Sequence, residues 1–381
     1  MGQMNDSFIG ENLLLNPHHS YACTDTHRNT FIDVCSVLDR NAWYACPFNH
    51  TCPFLLQNDC LRMSNNSMVT EFLLLGFSDS RSPQLLPAVI FTAIYLAALV
   101  GNGLVMTITS LDPGLHSPMY FFLRNLSLFD ICLISAVVPK AVANWITRCH
   151  SISFLGCVAQ VFLVLFSADT GLCLLTAMSM DRYAAICHPL HYEAIMSRDT
   201  CVQMATLSWL SSGFVSAIHT VSTFSLSYCG FHEIQQFFCD IPQLLAVSSS
   251  KRVTAEIVLI IINVFLDTGC FAGIVVSYVF IFSTVRRIPS TAGRAKAYST
   301  CLPHLAVVVL FLSTGFCAYL KPLLGSSSST DLVLSAFYVV LSPSLNPVIY
   351  SLRNKAMKAG LEKLVTGKLL TKQHVLLFLQ E

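Results

Sequence analysis

Three carboxylates stand where charge is costly. Asp130, Asp169 and Asp267 each lie inside a long apolar run, and an intramembrane carboxylate persists only when it is paired, faces water or carries a proton. A fourth, Asp181, directly precedes Arg182 in Met178-Ser179-Met180-Asp181-Arg182-Tyr183, at the end of the run that holds Asp169. A buried guanidinium needs a partner, and the adjacent aspartate supplies one; the alternative is an interfacial arginine whose head reaches out to water. Asn346-Pro347, within Pro343-Ser344-Leu345-Asn346-Pro347-Val348-Ile349-Tyr350, interrupts another run. Proline removes a backbone donor there, and Asn102, Asp130 and Asn346 are the polar residues expected to re-satisfy the freed carbonyl. All of this is ion pairing and hydrogen bonding. No nucleophile–base pair and no cysteine–histidine spacing for zinc is apparent, so no catalytic residue, metal or cofactor is expected. His304, beside Pro303, is read as a switch or packing residue.

These residues need apolar elements to hold them. Of 381 residues, 54% are hydrophobic and 11% charged, with a mean hydropathy of +0.61. Soluble domains carry about 25% charged residues, so a water-covered globule, a disordered chain and a coiled coil are excluded. A net charge of +1 gives no basic surface for nucleic acid. Runs long enough to cross a bilayer are expected at Leu85–Leu111, Tyr120–Val142, Leu155–Cys187, Cys201–Val221, Ala255–Phe282, Ala297–Leu320 and Leu332–Leu352. Lipid leaves no partner for unpaired backbone groups, so the runs must be helices. The expected fold is an all-α membrane protein, a seven-helix bundle. One set of loops and the C-terminal tail gathers Arg124, Arg182, Arg198, Arg286, Arg287, Arg294, Lys296, Arg353, Lys355, Lys358, Lys363, Lys368 and Lys372, which places the C-terminus in the cytoplasm and the N-terminus outside.

The ends differ in kind. Residues 1–62 are polar and hold Cys23, Cys35, Cys46, Cys52 and Cys60. They are a small disulfide-stapled cap, a disordered extension, or the product of a start placed upstream of Met63. Residues 63–84 form an extracellular tail with a glycosylation sequon at Asn65. No apolar run before Leu85 resembles a signal peptide, so the first span is expected to act as the insertion signal. After the receptor domain at 85–352, residues 353–381 form a cytoplasmic tail. Within it Ala356, Ala359, Gly360, Leu361 and Leu364 alternate with lysines as a short amphipathic helix, or else a disordered basic tail.

Further motifs join the Asp181 and Asn346 segments: Pro118-Met119-Tyr120-Phe121-Phe122-Leu123-Arg124-Asn125, Ser277-Tyr278, and Lys296-Ala297-Tyr298-Ser299-Thr300-Cys301-Leu302-Pro303-His304. In this order, on these spans, they closely resemble the vertebrate olfactory receptors, a branch of the rhodopsin-like G-protein-coupled receptors, from Met63 to about Leu364. The resemblance implies odorant detection at the plasma membrane, coupling to a stimulatory G protein that raises cyclic AMP, and trafficking chaperones as partners. It assigns Asp181, Arg182, Tyr183, Tyr278, Asn346, Pro347 and Tyr350 to activation, with Arg182 swinging toward the G protein and Tyr278. Asn102, Asp130 and Asn346 become a polar cluster, and Cys157–Cys239 a disulfide pinning the second extracellular loop.

By the same resemblance, small volatile organic ligands enter between the third, fifth, sixth and seventh helices. Val164, Leu165, Ala168, Asp169, Ile262, Asn263, Leu266, Leu312, Gly315, Phe316, Tyr319 and Ala336 are the expected lining, mainly apolar with a few polar points. The chain departs from the family pattern at Ser249, where a loop cysteine is usual, leaving Cys229 free or paired with Cys149 or the N-terminal segment. It departs also at Gly171, usually acidic, at Leu312, usually tyrosine, and at Asp267, where no charge is usual. Asp169 and Asp267 are expected either to hold a cation, sodium or an amine, or to be protonated or bonded to Thr170 and Thr268. A rhodopsin-like receptor with a chemosensory role outside smell fits the same motifs. A transporter fits less well, since no internal repeat is apparent.

Overall fold

The computed structural model describes residues 71–75, 85–147, 149–228, 233–248, 253–323, 329–353 and 355–366, without the side chains of 316–323, 329–331, 351–353 and 355. The expectations for residues 1–62, for Met63 and Asn65, and for Cys229 and Ser249 lie outside the described residues.

The helices are α1 (Leu85–Leu111), α2 (Pro118–Thr147), α3 (Phe154–Cys187), a single turn α4 (Tyr192–Ile195), α5 (Arg198–Phe224), α6 (Ile241–Val247), α7 (Val253–Arg287), α8 (Thr291–Leu323), α9 (Ser329–Arg353) and α10 (Lys355–Val365). Seven of them, α1, α2, α3, α5, α7, α8 and α9, are long and apolar enough to cross a membrane. They follow the expected runs in number and order. Their ends reach further, as α2 does past Val142 to Thr147, because hydropathy marks the lipid crossing and not the polar turns beyond it. Side chains such as Leu207, Phe214, Ile261 and Phe265 are more than half exposed on the bundle's outer surface, as suits contact with lipid tails.

Two apolar layers fill the bundle. The inner one packs Phe122, Leu174, Met178, Ile281 and Tyr350. The outer one packs Ile134, Val137, Trp145, Val339, Phe237 and Phe238, and its two phenylalanines come from the loop before α6. A third cluster caps the outer end, where Phe72, Ile152 and Ile234 are buried together. These residues belong to three short strands, β1 (Glu71–Leu74), β2 (Ser151–Ser153) and β3 (Glu233–Ile234). Central β1 runs antiparallel to β2, with Phe72 opposite Ile152, and parallel to β3, with Leu74 opposite Ile234.

The proline break in α9 is resolved by a neighbour. Pro347 leaves the carbonyl of Pro343, four residues earlier, without its helical donor. Asn102 Nδ2 on α1 donates to that carbonyl at 2.8 Å and to Ala98 O at 3.0 Å. Close approach helps: a Cβ on Gly101 would stand 3.0 Å from the Pro347 ring. Asn346 Nδ2 donates to Asp130 Oδ2 at 2.9 Å, tying α9 to α2. Of the three residues expected to form a polar cluster, Asp130 and Asn346 bond each other, and Asn102 alone reaches the freed carbonyl.

The basic segment after α9 is helical. α10 buries Met357 and Gly360, with Leu361 and Leu364 half-buried beside them, while Ala356 and Ala359 are exposed. Its apolar face is therefore rotated from the expected one, because Met357 supplies its largest side chain. A Cβ on Gly360 would come within 2.5 Å of Ile108, and Lys363 Nζ bonds Asp112 Oδ2 at 2.7 Å.

Candidate functional site

At the inner end of α3, Asp181 is fully buried and Arg182 nearly so. The Arg182 guanidinium pairs with Asp181 Oδ2, its Nε at 3.0 Å. The other carboxylate oxygen accepts a 2.7 Å bond from Tyr192 Oη on α4. Burial, then the carboxylate beside it, pushes the Tyr192 phenol well above its ordinary range. Asp181 is thus held from two sides, by its chain neighbour and by the loop after α3. Tyr183 turns away to bond His188 Nε2 at 3.0 Å.

Facing this pair, α7 and α8 are tied to α3 through one imidazole. His304 Nε2 lies 3.0 Å from Leu175 O, and His304 Nδ1 lies 2.8 Å from Tyr278 Oη. A backbone carbonyl only accepts, so Nε2 carries the proton, and in the neutral ring Nδ1 then accepts from the tyrosine. The Tyr278 hydroxyl also lies 3.2 Å from Cys301 O. Tyr278 is therefore engaged by α8 and not by Arg182. A cavity of about 680 Å³ is lined by Arg182 and His304, together with Met178, Lys296, Thr300 and Tyr350 among others. Asn346 and Pro347 lie deeper on α9, and Tyr350 Oη is buried without a hydrogen-bond partner.

The outer end of the bundle is closed by a pinned loop. Cys157 and Cys239 form a disulfide with a Cα–Cα distance of 5.6 Å. Gln160, one turn along α3, accepts from Cys239 N at 2.7 Å and donates to Ala136 O on α2 at 2.9 Å. Gln236 Nε2 donates to Ser335 Oγ on α9 at 3.0 Å. Cys149 is also disulfide-bonded. Beneath the loop Val164, Ala168 and Ala336 are buried together, and Leu165 packs under the strands. Gly315 faces the Tyr338 ring, 3.6 Å from where its Cβ would stand. Leu312 lines an apolar crevice of about 400 Å³ between α7 and α8, with Phe271, Ile274, Tyr278 and Val308. Phe316 and Tyr319 lie on α8, their side chains outside the described residues.

α7 corrects part of the expected lining. Asn263 and Asp267 are half-buried, whereas Ile262 and Leu266 are each 51% exposed. Residues at i, i+4, i+7 and i+11 share one helical face, so Asn263, Asp267, Cys270 and Ile274 turn inward together. Ile262 and Leu266, about 100° round the helix, belong to the lipid side. Two residues that hydropathy does not single out join the inward face: His219 Nδ1 on α5 lies 2.5 Å from Glu256 Oε1 on α7, both buried. Glu256 reads from sequence as a first-turn acid at the membrane boundary and His219 as a polar residue at a helix end. Only the fold brings them together. The expected bonds of the aspartates to threonine are absent: Thr268 donates to Val264 O, and the Thr170 hydroxyl is buried without a partner.

Asp240, in the loop at the N-terminus of α6, gives a pH test. Burial pushes its carboxyl up to about 7, opposed by a hydrogen bond from the Ile241 N–H. Unfolded aspartate titrates near 3.9. Between about pH 4 and 7 the folded chain therefore keeps a proton that the unfolded chain releases, so stability falls across that window and stays at its lower level above it. Asp240→Asn is expected to raise the melting temperature of detergent-solubilised protein at pH 8 by several degrees and to leave it unchanged near pH 4. An equal gain at both pH values would exclude this origin.

A sequence profile of the olfactory receptors matches residues 91–368. Human olfactory receptor 14A16 is 59% identical over 310 residues, covering 81% of this chain and 100% of that protein. Human olfactory receptor 14L1 is 49% identical, covering 78% and 92% respectively. Gorilla olfactory receptor 1G1 is 44% identical, covering 79% and 96%. Seven apolar helices, a disulfide-pinned outer loop and an Asp-Arg-Tyr segment at the inner end of α3 agree with those likenesses, and the chain belongs to the olfactory receptor family, G-protein-coupled odorant receptors of the plasma membrane and not enzymes.

Proposed function

We propose that the chain binds small volatile organic ligands between α3, α7, α8 and α9 and activates a stimulatory G protein, raising cyclic AMP. The observation that carries the coupling half is the inner arrangement. Arg182 is held on Asp181 and Tyr278 on His304, and Arg182 and His304 both line the inner cavity. Ligand binding shifts the population toward a state in which both are released, and Lys296 and Arg294 meet the G protein. In the outer half Val164, Ala168, Asp169, Asn263, Leu312, Gly315 and Ala336 form the lining, with Phe316 and Tyr319 above. Trafficking chaperones bring the receptor to the surface.

The test is a cyclic-AMP reporter in cells that also express olfactory trafficking chaperones, with a broad odorant panel. The full chain and a version starting at Met63 are both expected to respond, with residues 1–62 dispensable. A ligand-evoked fall in cyclic AMP would reassign the G protein. Silence of both versions despite surface staining would overturn the odorant reading for this panel's chemistry.

A further inference from the structure

The wall of the inner cavity is rich in donors. Its volume of about 680 Å³ falls in the range of small-molecule sites, about 300–1,000 Å³. Two cations line it, Arg182 and Lys296, and no carboxylate stands among the described residues of its lining. Asp181, outside that lining, takes only part of the arginine: Nε and Nη2 both go to Asp181 Oδ2. A guanidinium carries five N–H groups, so the two on Nη1 have no partner among the described residues. Lys296 is exposed and enters no ion pair among the described residues. Tyr350 is the third donor. It lines the cavity, is 4% exposed, and its hydroxyl is buried with no hydrogen bond. A buried hydroxyl rarely stays unpaired in a folded protein.

Other polar groups of the wall are already spent. Ser299 and Thr300 donate to the carbonyls of Lys296 and Ala297 on their own helix, each at 2.8 Å. His304 has both ring nitrogens engaged, by Leu175 O and Tyr278 Oη. The cavity therefore offers three donors, from α3, α8 and α9, two of them cationic. A cationic ligand would meet two like charges and no carboxylate. A neutral one would displace water from Arg182 Nη1 and leave that charge without an acceptor. An anion answers all three donors. Arg182 and Lys296 set against Asp181 leave one positive charge over. A phosphate monoester carries three strong acceptor oxygens and about 1.5–2 negative charges near neutral pH, and guanidinium matches phosphate in geometry. Met119, Met178 and Pro303 on the same wall can take a short alkyl body.

We propose that the inner cavity is a binding site for a phosphate monoester with a short apolar body, its phosphate held by Arg182, Lys296 and Tyr350. The role of that site rests on the coupling reading above and adds a regulation to it. Bound there, the anion joins α3, α8 and α9 in the resting arrangement and covers the two cations that the coupling reading gives to the G protein. Such a ligand opposes coupling. Soluble phosphate esters and the phosphatidate headgroup of the inner leaflet share this chemistry.

The probes are hexyl phosphate, 1-hexanol and inorganic phosphate, with thermal shift of the purified full chain as the binding readout. Hexyl phosphate is expected to raise the melting temperature saturably, and the other two to do so much less at equal concentration. Lys296→Gln and Tyr350→Phe are each expected to weaken its apparent affinity roughly five- to thirtyfold, and Lys296→Arg to keep most of it. Lys358→Gln, which changes an exposed lysine of α10 outside the cavity lining, should leave the affinity unchanged. No shift by hexyl phosphate in wild type, or one untouched by both Lys296→Gln and Tyr350→Phe, would overturn the site. Equal losses in Lys358→Gln and Lys296→Gln would replace it with a diffuse basic surface, and an equal shift by inorganic phosphate with an inorganic-anion site. Phosphatidate in the detergent micelle, compared with phosphatidylcholine, separates the sources. A shift lost in Lys296→Gln assigns a membrane headgroup; none, beside a positive hexyl phosphate result, assigns a soluble ester. Hexyl phosphate should also lower odorant-evoked nucleotide exchange on the G protein, and binding without that fall would overturn the inhibitory role. If no odorant evokes exchange even without it, the coupling reading fails, and the thermal shift still decides the anion site.

Discussion

Cys157→Ser and Cys239→Ser are each expected to remove most of the receptor from the cell surface, a loss of at least severalfold in surface staining. The disulfide joins residues 82 apart in sequence, and a loop of that length corresponds to about 4–5 kcal/mol of closure entropy in the chain-entropy estimate. Helices already threaded through a bilayer restrict the open state, so less than this is realised. A loss of about 1–2 kcal/mol is still enough to change cellular abundance several-fold. The bond also positions the loop around it. Cys239 N is held by Gln160, and Phe237 and Phe238 just before it close the outer core against Trp145 and Phe91. Releasing the bond would let these aromatics leave and open the bundle's mouth to water. Gln160→Ala, which loses two hydrogen bonds and keeps the disulfide, is expected to cost less than either serine. Immunostaining of intact cells against total expression measures all three. Normal surface levels and odorant responses in Cys157→Ser would show that polar and aromatic contacts hold the loop unaided.

Legibility in the sequence depends on how far each feature relies on the rest of the fold. The spans are legible because lipid imposes one solution on any apolar run of sufficient length. The Asp181–Arg182 pair is legible because its partners are adjacent. Asn102 is reached by rule: a proline frees a carbonyl, and a buried asparagine is there to meet it, although 241 residues separate the two. Gln160, Tyr192 and the His219–Glu256 pair escape a sequence reading, because their partners lie 79, 11 and 37 residues away and no pattern marks the match. Ile262 and Leu266 are misplaced by sequence for a different reason. α7 is apolar nearly all round, so hydropathy fixes its span and says nothing of its rotation. Glu256, Asn263 and Asp267 mark the inward face. The neighbouring aliphatics belong to the lipid because a helix turns about 100° per residue.

Arg182→Ala is expected to abolish ligand-evoked nucleotide exchange on the G protein while leaving surface expression and ligand-induced thermal stabilisation intact. The guanidinium lines the inner cavity and is 14% exposed. On the coupling proposed above, its removal takes away the arm that meets the G protein, and no other described arginine lies on α3. The resting state has its own lever. Tyr192 bonds the second oxygen of Asp181 at 2.7 Å, and a hydrogen bond to a charged group contributes about 1.5–3 kcal/mol. If even about 1 kcal/mol of that is specific to the resting state, Tyr192→Phe should raise the active population roughly fivefold. The two variants therefore move the same equilibrium's readout in opposite directions: Arg182→Ala silences it and Tyr192→Phe raises it without ligand. In membranes from cells matched for surface receptor, basal and ligand-evoked exchange of guanine nucleotide would report both. Exchange that survives loss of Arg182 would place the coupling contact elsewhere, on the basic segment at Arg294 and Lys296. A Tyr192→Phe receptor no more active than wild type would mean that the ion pair alone holds Asp181, and that release of α7 from His304, not of Arg182 from Asp181, limits activation.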